Sequence, residues 1–172
     1  MPILKDKLFT LRPFRKGDEV SLARNINDKM IARKTLLIPH PYTLEDAKQW
    51  IKKNLNEAKK RKRQRISFVI DIDGEVAGSL GFNKIEDHKA ELGYWLARKY
   101  WNKGIMTRAV KIFSKFGFRA LGLKRIYAFA FPFNNASIRV LEKSGFIYEG
   151  LLRKHSKKGK TFLDGVLYAK VI

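Results

Sequence analysis

The stretch Ile66–Leu96 most tightly limits the fold, because it encodes three consecutive strands together with their turns. Ser67–Ile72 reads as a strand, Asp73-Gly74 as a two-residue hairpin turn, and Glu75–Asn83 as the returning strand. Asp-Gly suits that turn because both of its central residues need a positive φ. A second turn around Glu86–His88 leads to the strand Ala90–Leu96, where Gly93 predicts a bulge. Upstream, Lys7–Phe14 alternates as a strand, with Leu8, Thr10 and Arg12 on one face. Asp18 is placed to cap a helix burying Val20, Leu22, Ala23 and Ile26. Thr43 followed by Asp46 has the form of a capping box, opening a helix through Trp50, Ile51 and Leu55.

Downstream, Ala109, Phe113, Phe116 and Ala120 keep helical spacing, so a long helix is predicted from Ile105 to Leu121, ended by Gly122. Arg125–Phe131 is a strand, Pro132–Asn135 a turn, and Asn135–Ser144 a shorter helix closed by Gly145 and Phe146. Two final strands lie near Ile147–Arg153 and Thr161–Val171. This order predicts an α/β (α+β) fold, a mixed and mostly antiparallel central sheet with helices on both faces. With no internal repeat or linker, residues 1–172 form a single domain.

Composition excludes several chemistries. There is no cysteine, so disulfides, thiolate metal sites and a Cys nucleophile are ruled out. His40, His88 and His155 lack metal-ligand spacing, so no metal is expected. No apolar run approaches the ~20 residues that cross a bilayer, and charge and Pro interrupt the apolar positions of the N-terminus. The expectation is a cytoplasmic protein without membrane association. The formal net charge of +21 predicts attraction to polyanions and repulsion of polycations. Part of it lies in the run Lys59–Arg65, which reads equally as a solvated helix end or as a patch for RNA or another anion.

The segment Tyr94–Thr107 is a strand, a basic loop and a helix start. Free N–H groups and the dipole at a helix N-terminus bind phosphate, Gly104 lets backbone approach a ligand, and Thr107 offers a hydroxyl. Alone, one glycine in a basic loop is more often a simple turn. In context the loop resembles the pyrophosphate loop of the GNAT acetyltransferases, Arg/Gln-x-x-Gly-x-Gly/Ala, here Trp101, Asn102, Lys103, Gly104, Ile105 and Met106. Trp101 and Met106 depart from that pattern, which leaves the phosphates to backbone N–H groups. Asn134-Asn135-Ala136-Ser137 followed by Lys143-Ser144-Gly145-Phe146 is similar to a second segment of that family. Leu11–Phe14, Ala90–Leu96, Glu149-Gly150 with Arg153, and Asp164 with Tyr168 resemble its Rim-type branch, the ribosomal-protein N-terminal acetyltransferases.

The resemblance implies acetyl-CoA as cosubstrate, bound by Trp95, Leu96, Asn102, Lys103, Gly104, Ile105, Met106, Thr107 and Asn134. Asn134 would hydrogen-bond the pantetheine arm, although a helix N-cap is an equally good reading of it. Glu91 is the candidate base, with Tyr94 and Trp95 as apolar neighbours, and N–H groups around Leu96 would form the oxyanion hole. Many family members place a tyrosine acid where this chain has Leu141; the Rim branch implies Ser137 as proton donor to the thiolate. His155–Lys158, where some relatives carry a second carboxylate, has none.

The expected activity is acetyl transfer to a primary amine by direct attack in a ternary complex. An α-amine titrates near ~8 and a lysine near ~10.4, so a weak base suits a protein N-terminus, such as that of a ribosomal protein. Alternatives are a polyamine or antibiotic acceptor, for which Glu86, Asp87, Glu91 and Asp164 would have to supply local acidity, and a non-catalytic acetyl-CoA- or nucleic-acid-binding domain. Weak ribosome or RNA association through the basic surface is expected, and a homodimer is left open.

Overall fold

The computed structural model describes residues 1–172. Eight strands form one sheet: β1 (Leu4–Lys5), β2 (Thr10–Pro13), β3 (Ile66–Ile72), β4 (Glu75–Glu86), β5 (Lys89–Leu96), β6 (Arg125–Ala130), β7 (Ile147–Lys158) and β8 (Thr161–Val171). Their order is β1-β2-β3-β4-β5-β6-β8-β7. Every neighbouring pair is antiparallel except β5–β6. Five helices, α1 (Glu19–Ile26), α2 (Lys29–Lys34), α3 (Leu44–Ala58), α4 (Ile105–Ala120) and α5 (Asn135–Lys143), complete the chain. The mixed, mostly antiparallel α/β architecture is the one the sequence predicts. No helix is long and apolar enough to cross a membrane.

Strand alternation divides the core into two layers. On one face Leu92 and Leu96 of β5 join Phe68, Phe82, Phe113 and Leu141 beneath α4 and α5. On the other, Trp95 joins Leu22, Ile51 and Val69 beneath α1, α2 and α3. Phe82 and Phe113 stack at 4.3 Å, and Phe68 meets Phe113 edge-on at 5.4 Å. Burying each such ring contributes roughly 1.5–3 kcal/mol, which pins α4 to the sheet.

The local punctuation largely follows the residues. Asp73 (φ 54) and Gly74 (φ 82) make the expected hairpin. Thr43 Oγ1 accepts from the Asp46 N–H at 3.1 Å while Asp46 Oδ2 accepts from the Thr43 N–H at 2.7 Å, completing the capping box. Phe146 N–H reaches back to the Leu141 carbonyl at 3.1 Å past Gly145 (φ 82), closing α5.

Four expectations are corrected. Asp18 caps nothing with its side chain; its carboxylate takes both Nη atoms of the buried Arg12 at 2.8 Å each, and Arg12 Nε also donates to Asp71. An ion pair of that geometry outcompetes a single N–H cap. Val20 is 64% exposed, because α1 turns only Leu22 and Ile26 fully inward. The strand predicted at Lys7–Phe14 covers only Thr10–Pro13; Leu11 within it and Phe9 just before it are buried, while Leu8 is exposed. Gly93 forms no bulge: the β4–β5 register runs unbroken from Gly78↔Leu96 to Asn83↔Glu91, with Gly81 opposite Gly93. The irregularity falls beyond it, between Asn83 and Glu86.

The basic run begins as the end of α3, and its side chains from Lys59 to Lys62 are exposed. Arg63 folds back onto the Ala58 carbonyl at 3.0 Å, and Arg65 lies over the Trp50 ring at 5.4 Å.

Gly117 shows how closely α4 rides on β4: a Cβ there would stand 2.7 Å from the Phe82 ring. Helix propensity alone would make Gly117→Ala stabilising by up to about 1 kcal/mol. Overpacking of roughly 1–3 kcal/mol works against it, and urea denaturation should therefore show a net loss of stability for Gly117→Ala.

Candidate active site

The β5–β6 ladder is the only parallel one, and it stops early. Lys89↔Arg125, Ala90↔Ile126 and Glu91↔Tyr127 are paired; beyond them β5 continues to Leu96 bound only to β4, while β6 continues to Ala130 bound only to β8. The strands therefore part after Glu91, opening a gap within the sheet. The parting comes from the end of this ladder and not from the bulge predicted at Gly93. On the β4 side the contact is tight, since a Cβ on Gly78 would lie 2.6 Å from the Trp95 carbonyl.

Ala97 N–H donates to the Ala77 carbonyl at 2.8 Å, so the Ala97 backbone faces β4. Alternation then turns the N–H and C=O groups of Leu96 and Tyr94 toward the gap. The Leu96 carbonyl is taken by the Trp101 indole N–H at 2.7 Å. Trp101, the residue departing most from the resembled loop, thus pins that loop to the end of β5. Trp95 turns its side chain into the second core layer and is not brought to the gap.

A short 3-10 turn, Arg98–Tyr100, leads to Asn102 (φ 59) and Gly104 (φ 71), both in the left-handed region that Asn and Gly tolerate best. Gly104 is the N-cap of α4, no side chain caps this helix, and its first turn carries no acidic residue. The first N–H groups of α4 are thus free of side-chain partners. Ile105 and Met106 point into the first core layer, 4% and 6% exposed, so neither side chain obstructs the helix end. Lys103 is exposed beside the loop, its Nζ 5.8 Å from the Tyr100 ring, and Lys34 Nζ lies 4.7 Å over Trp101. An uncapped helix N-terminus in a basic loop is a ready receptor for phosphate groups.

Across the gap, buried Asn134 caps α5, accepting from the Ser137 N–H at 3.4 Å, and its Nδ2 donates to the Lys34 carbonyl at 3.3 Å. The end of α2 is also held by Lys158, whose Nζ donates to the carbonyls of Ala32 and Thr35. Tyr94 meets the same turn of α5 from β5: its hydroxyl is 2.8 Å from Ser137 Oγ and 3.2 Å from the Ser137 carbonyl. Burial pushes the Tyr94 phenol well above its usual range. Sequence reasoning treated Tyr94 as a neighbour of Glu91, but the two lie on opposite faces of β5; alternation from Leu92 was the signal that separates them. Leu141 is fully buried in the core.

Glu91 stands at the last paired position before the gap, facing away from Ser137. Lys84 Nζ lies 2.9 Å from its Oε2, an ion pair without a well-directed hydrogen bond, and the Glu91 carboxylate holds the Lys84 ammonium above its usual range. Burial and then the Glu91 charge raise the Tyr127 phenol. Tyr127, Phe129 and His155 form an aromatic row on this side, with centroids 5.7 Å and 4.2 Å apart. The surrounding carboxylates already have partners: Glu86 pairs with Lys89 at 3.3 Å, Glu149 with Arg125, and Asp164 accepts from the Lys154 N–H at 2.7 Å.

An acetyltransferase (GNAT) domain model matches residues 9–147. The uncharacterized N-acetyltransferase p20 of Bacillus licheniformis is 30% identical over 171 residues, 98% of this chain and 96% of that protein. The spermidine N(1)-acetyltransferase of Escherichia coli (strain K12) is 28% identical over 144 residues, 83% of this chain and 74% of that one. Among solved structures, the ribosomal-protein-S5-alanine acetyltransferase from Vibrio fischeri superposes with a TM-score of 0.88 at 26% identity, covering 99% of this chain and 97% of that chain. Mycobacterium smegmatis RimJ in complex with CoA-disulfide superposes with a TM-score of 0.83 at 28% identity, covering 95% and 81%. The chain belongs to the GNAT acetyltransferase family.

Proposed function

We propose that the chain transfers acetyl from acetyl-CoA to the N-terminal α-amine of a protein, such as a ribosomal protein, by direct attack in a ternary complex. The observation that carries this reading is that three of the four carboxylates that could attract a polycation already have partners, Asp87 alone being without one. Glu86, Glu91 and Asp164 are occupied by Lys89, Lys84 and the Lys154 N–H, on a chain of net charge +21. A polyamine would meet repulsion there, whereas a peptide with one α-ammonium and acidic residues behind it would not. The likeness to the ribosomal-protein-S5-alanine acetyltransferase supports the same acceptor class.

Acetyl-CoA supplies the acetyl group as a thioester. Of the residues here, the N–H groups of Lys103, Gly104, Ile105, Met106 and Thr107 suit its pyrophosphate, with the Asn102 turn and the Lys103 charge beside them. Leu96 N–H faces the gap and suits an oxyanion. Asn134 lies at the far wall, where a pantetheine arm would pass between β5 and β6. Glu91 accepts the proton that the attacking amine must lose, directly or through water. The N–C bond forms as the C–S bond breaks, and Ser137 hydrogen-bonds the departing sulfur, which takes up a proton in exchange for the one the nitrogen gave up. The enzyme would act in the cytoplasm, with the exposed Lys59–Lys62 side chains giving weak, salt-sensitive affinity for ribosomal RNA.

Thiol release from acetyl-CoA should be measured with peptides bearing free N-termini followed by acidic residues, with the same peptides blocked at the N-terminus but containing lysine, and with spermidine. Turnover confined to free N-termini is expected. Turnover of spermidine alone would transfer the reading to a small amine, and tight acetyl-CoA binding without turnover of any amine would make the domain a sensor. In the Glu91→Gln variant, kcat should fall roughly a hundredfold while acetyl-CoA binding measured by calorimetry is unchanged; an unaltered kcat would remove Glu91 from the role of base.

A further inference from the structure

Ser137 in the first turn of α5 and Ser144 at its C-cap treat their hydroxyls differently. Ser144 Oγ donates to the Val140 carbonyl at 2.7 Å, the ordinary back-bond of a serine to its own helix, with a longer contact to the Thr107 carbonyl at 3.4 Å. Ser137 Oγ makes no bond to its own helix; its one partner is the Tyr94 hydroxyl at 2.8 Å, contributed from β5 at the parting of the strands. Thus α5 and β5 are joined at the gap by a phenol–hydroxyl pair, while the helix position at which a tyrosine would be expected is the core residue Leu141.

We propose that Tyr94 is a positioning residue for acetyl transfer, holding the Ser137 hydroxyl so that its proton faces the departing thiolate sulfur. This rests on the reading of Ser137 given above. Two proton arrangements fit the distances. In one, Ser137 donates to Tyr94 and Tyr94 donates to the Ser137 carbonyl at 3.2 Å. In the other, Tyr94 donates to Ser137 Oγ, filling a lone pair and leaving the Ser137 O–H free. A negatively charged sulfur in the gap selects the second, because a charge-assisted hydrogen bond is about twice as strong as a neutral one. Burial keeps the phenol protonated, so it remains a donor to Ser137 and is not itself consumed. Donation into Oγ also polarises the serine hydroxyl in the direction that the leaving sulfur needs.

The test is a double-mutant cycle of Tyr94→Phe and Ser137→Ala, read as kcat and KM with acetyl-CoA and whichever amine of the panel turns over. Phe preserves the ring, so folding is expected to hold, and the melting temperature checks it. Tyr94→Phe should lower kcat roughly threefold to tenfold with KM for acetyl-CoA unchanged, and it should cost nothing further in the Ser137→Ala background. An equal loss in both backgrounds would make Tyr94 a packing residue and overturn the inference. Full activity of Tyr94→Phe beside an impaired Ser137→Ala would overturn it while sparing the reading of Ser137. Full activity of Ser137→Ala would overturn that reading and this inference together.

Discussion

A sheet interior rarely leaves backbone hydrogen-bonding groups unpaired, because each one stranded away from water is expensive. Here β5 does so beyond Glu91, where β4 binds one edge, no strand binds the other, and the Leu96 carbonyl is met only by the Trp101 indole. Everything in the candidate site is arranged around that vacancy. Glu91 marks where pairing ends, Tyr94 and Leu96 turn their backbone groups into the opening, and Asn134 and Ser137 stand on its far wall. An extended ligand with amide groups of its own suits such an opening as a further strand would. The gap is a property of the whole sheet: β6 is drawn away by full-length pairing with β8, and β5 is held back by its close backbone contact with β4 at Gly78.

The phosphate end of the site follows from the same geometry. A chain leaving β5 at Leu96 and entering α4 at Ile105 must reverse within a short loop, and left-handed Asn102 and Gly104 make that reversal possible. Trp101 then acts as a rivet through its bond to the Leu96 carbonyl. Substituting an indole for a basic side chain removes a charge from the loop but fixes its backbone. In a site where N–H groups do the binding, fixed backbone is the more valuable property.

Much of this was legible in the sequence because the signals were local. Asp73-Gly74, the Thr43–Asp46 box, Gly122 and Gly145 each act within a few residues, and the apolar periods of α4 and β3 state which faces are buried. The misreadings share the opposite character. Asp18 has the form of a helix cap, but Arg12 and Asp71, distant along the chain or outside the helix, decide its role. Gly93 looks like a bulge until Gly81 is set directly opposite it. Tyr94 was legible as a strand residue and not as a site residue, because its partner Ser137 is brought to it only by the tertiary fold. The grip of Lys158 on the end of α2 is likewise a contact between segments that no local pattern announces.

Amide hydrogen exchange followed by NMR tests the open ladder most directly. Titrating the protein with CoA should slow exchange at the Tyr94 and Leu96 amides and at those of Ile105–Thr107. Amides already paired between β3 and β4 should be unchanged. Protection at the helix start without any at Tyr94 and Leu96 would place the ligand outside the gap and contradict the account.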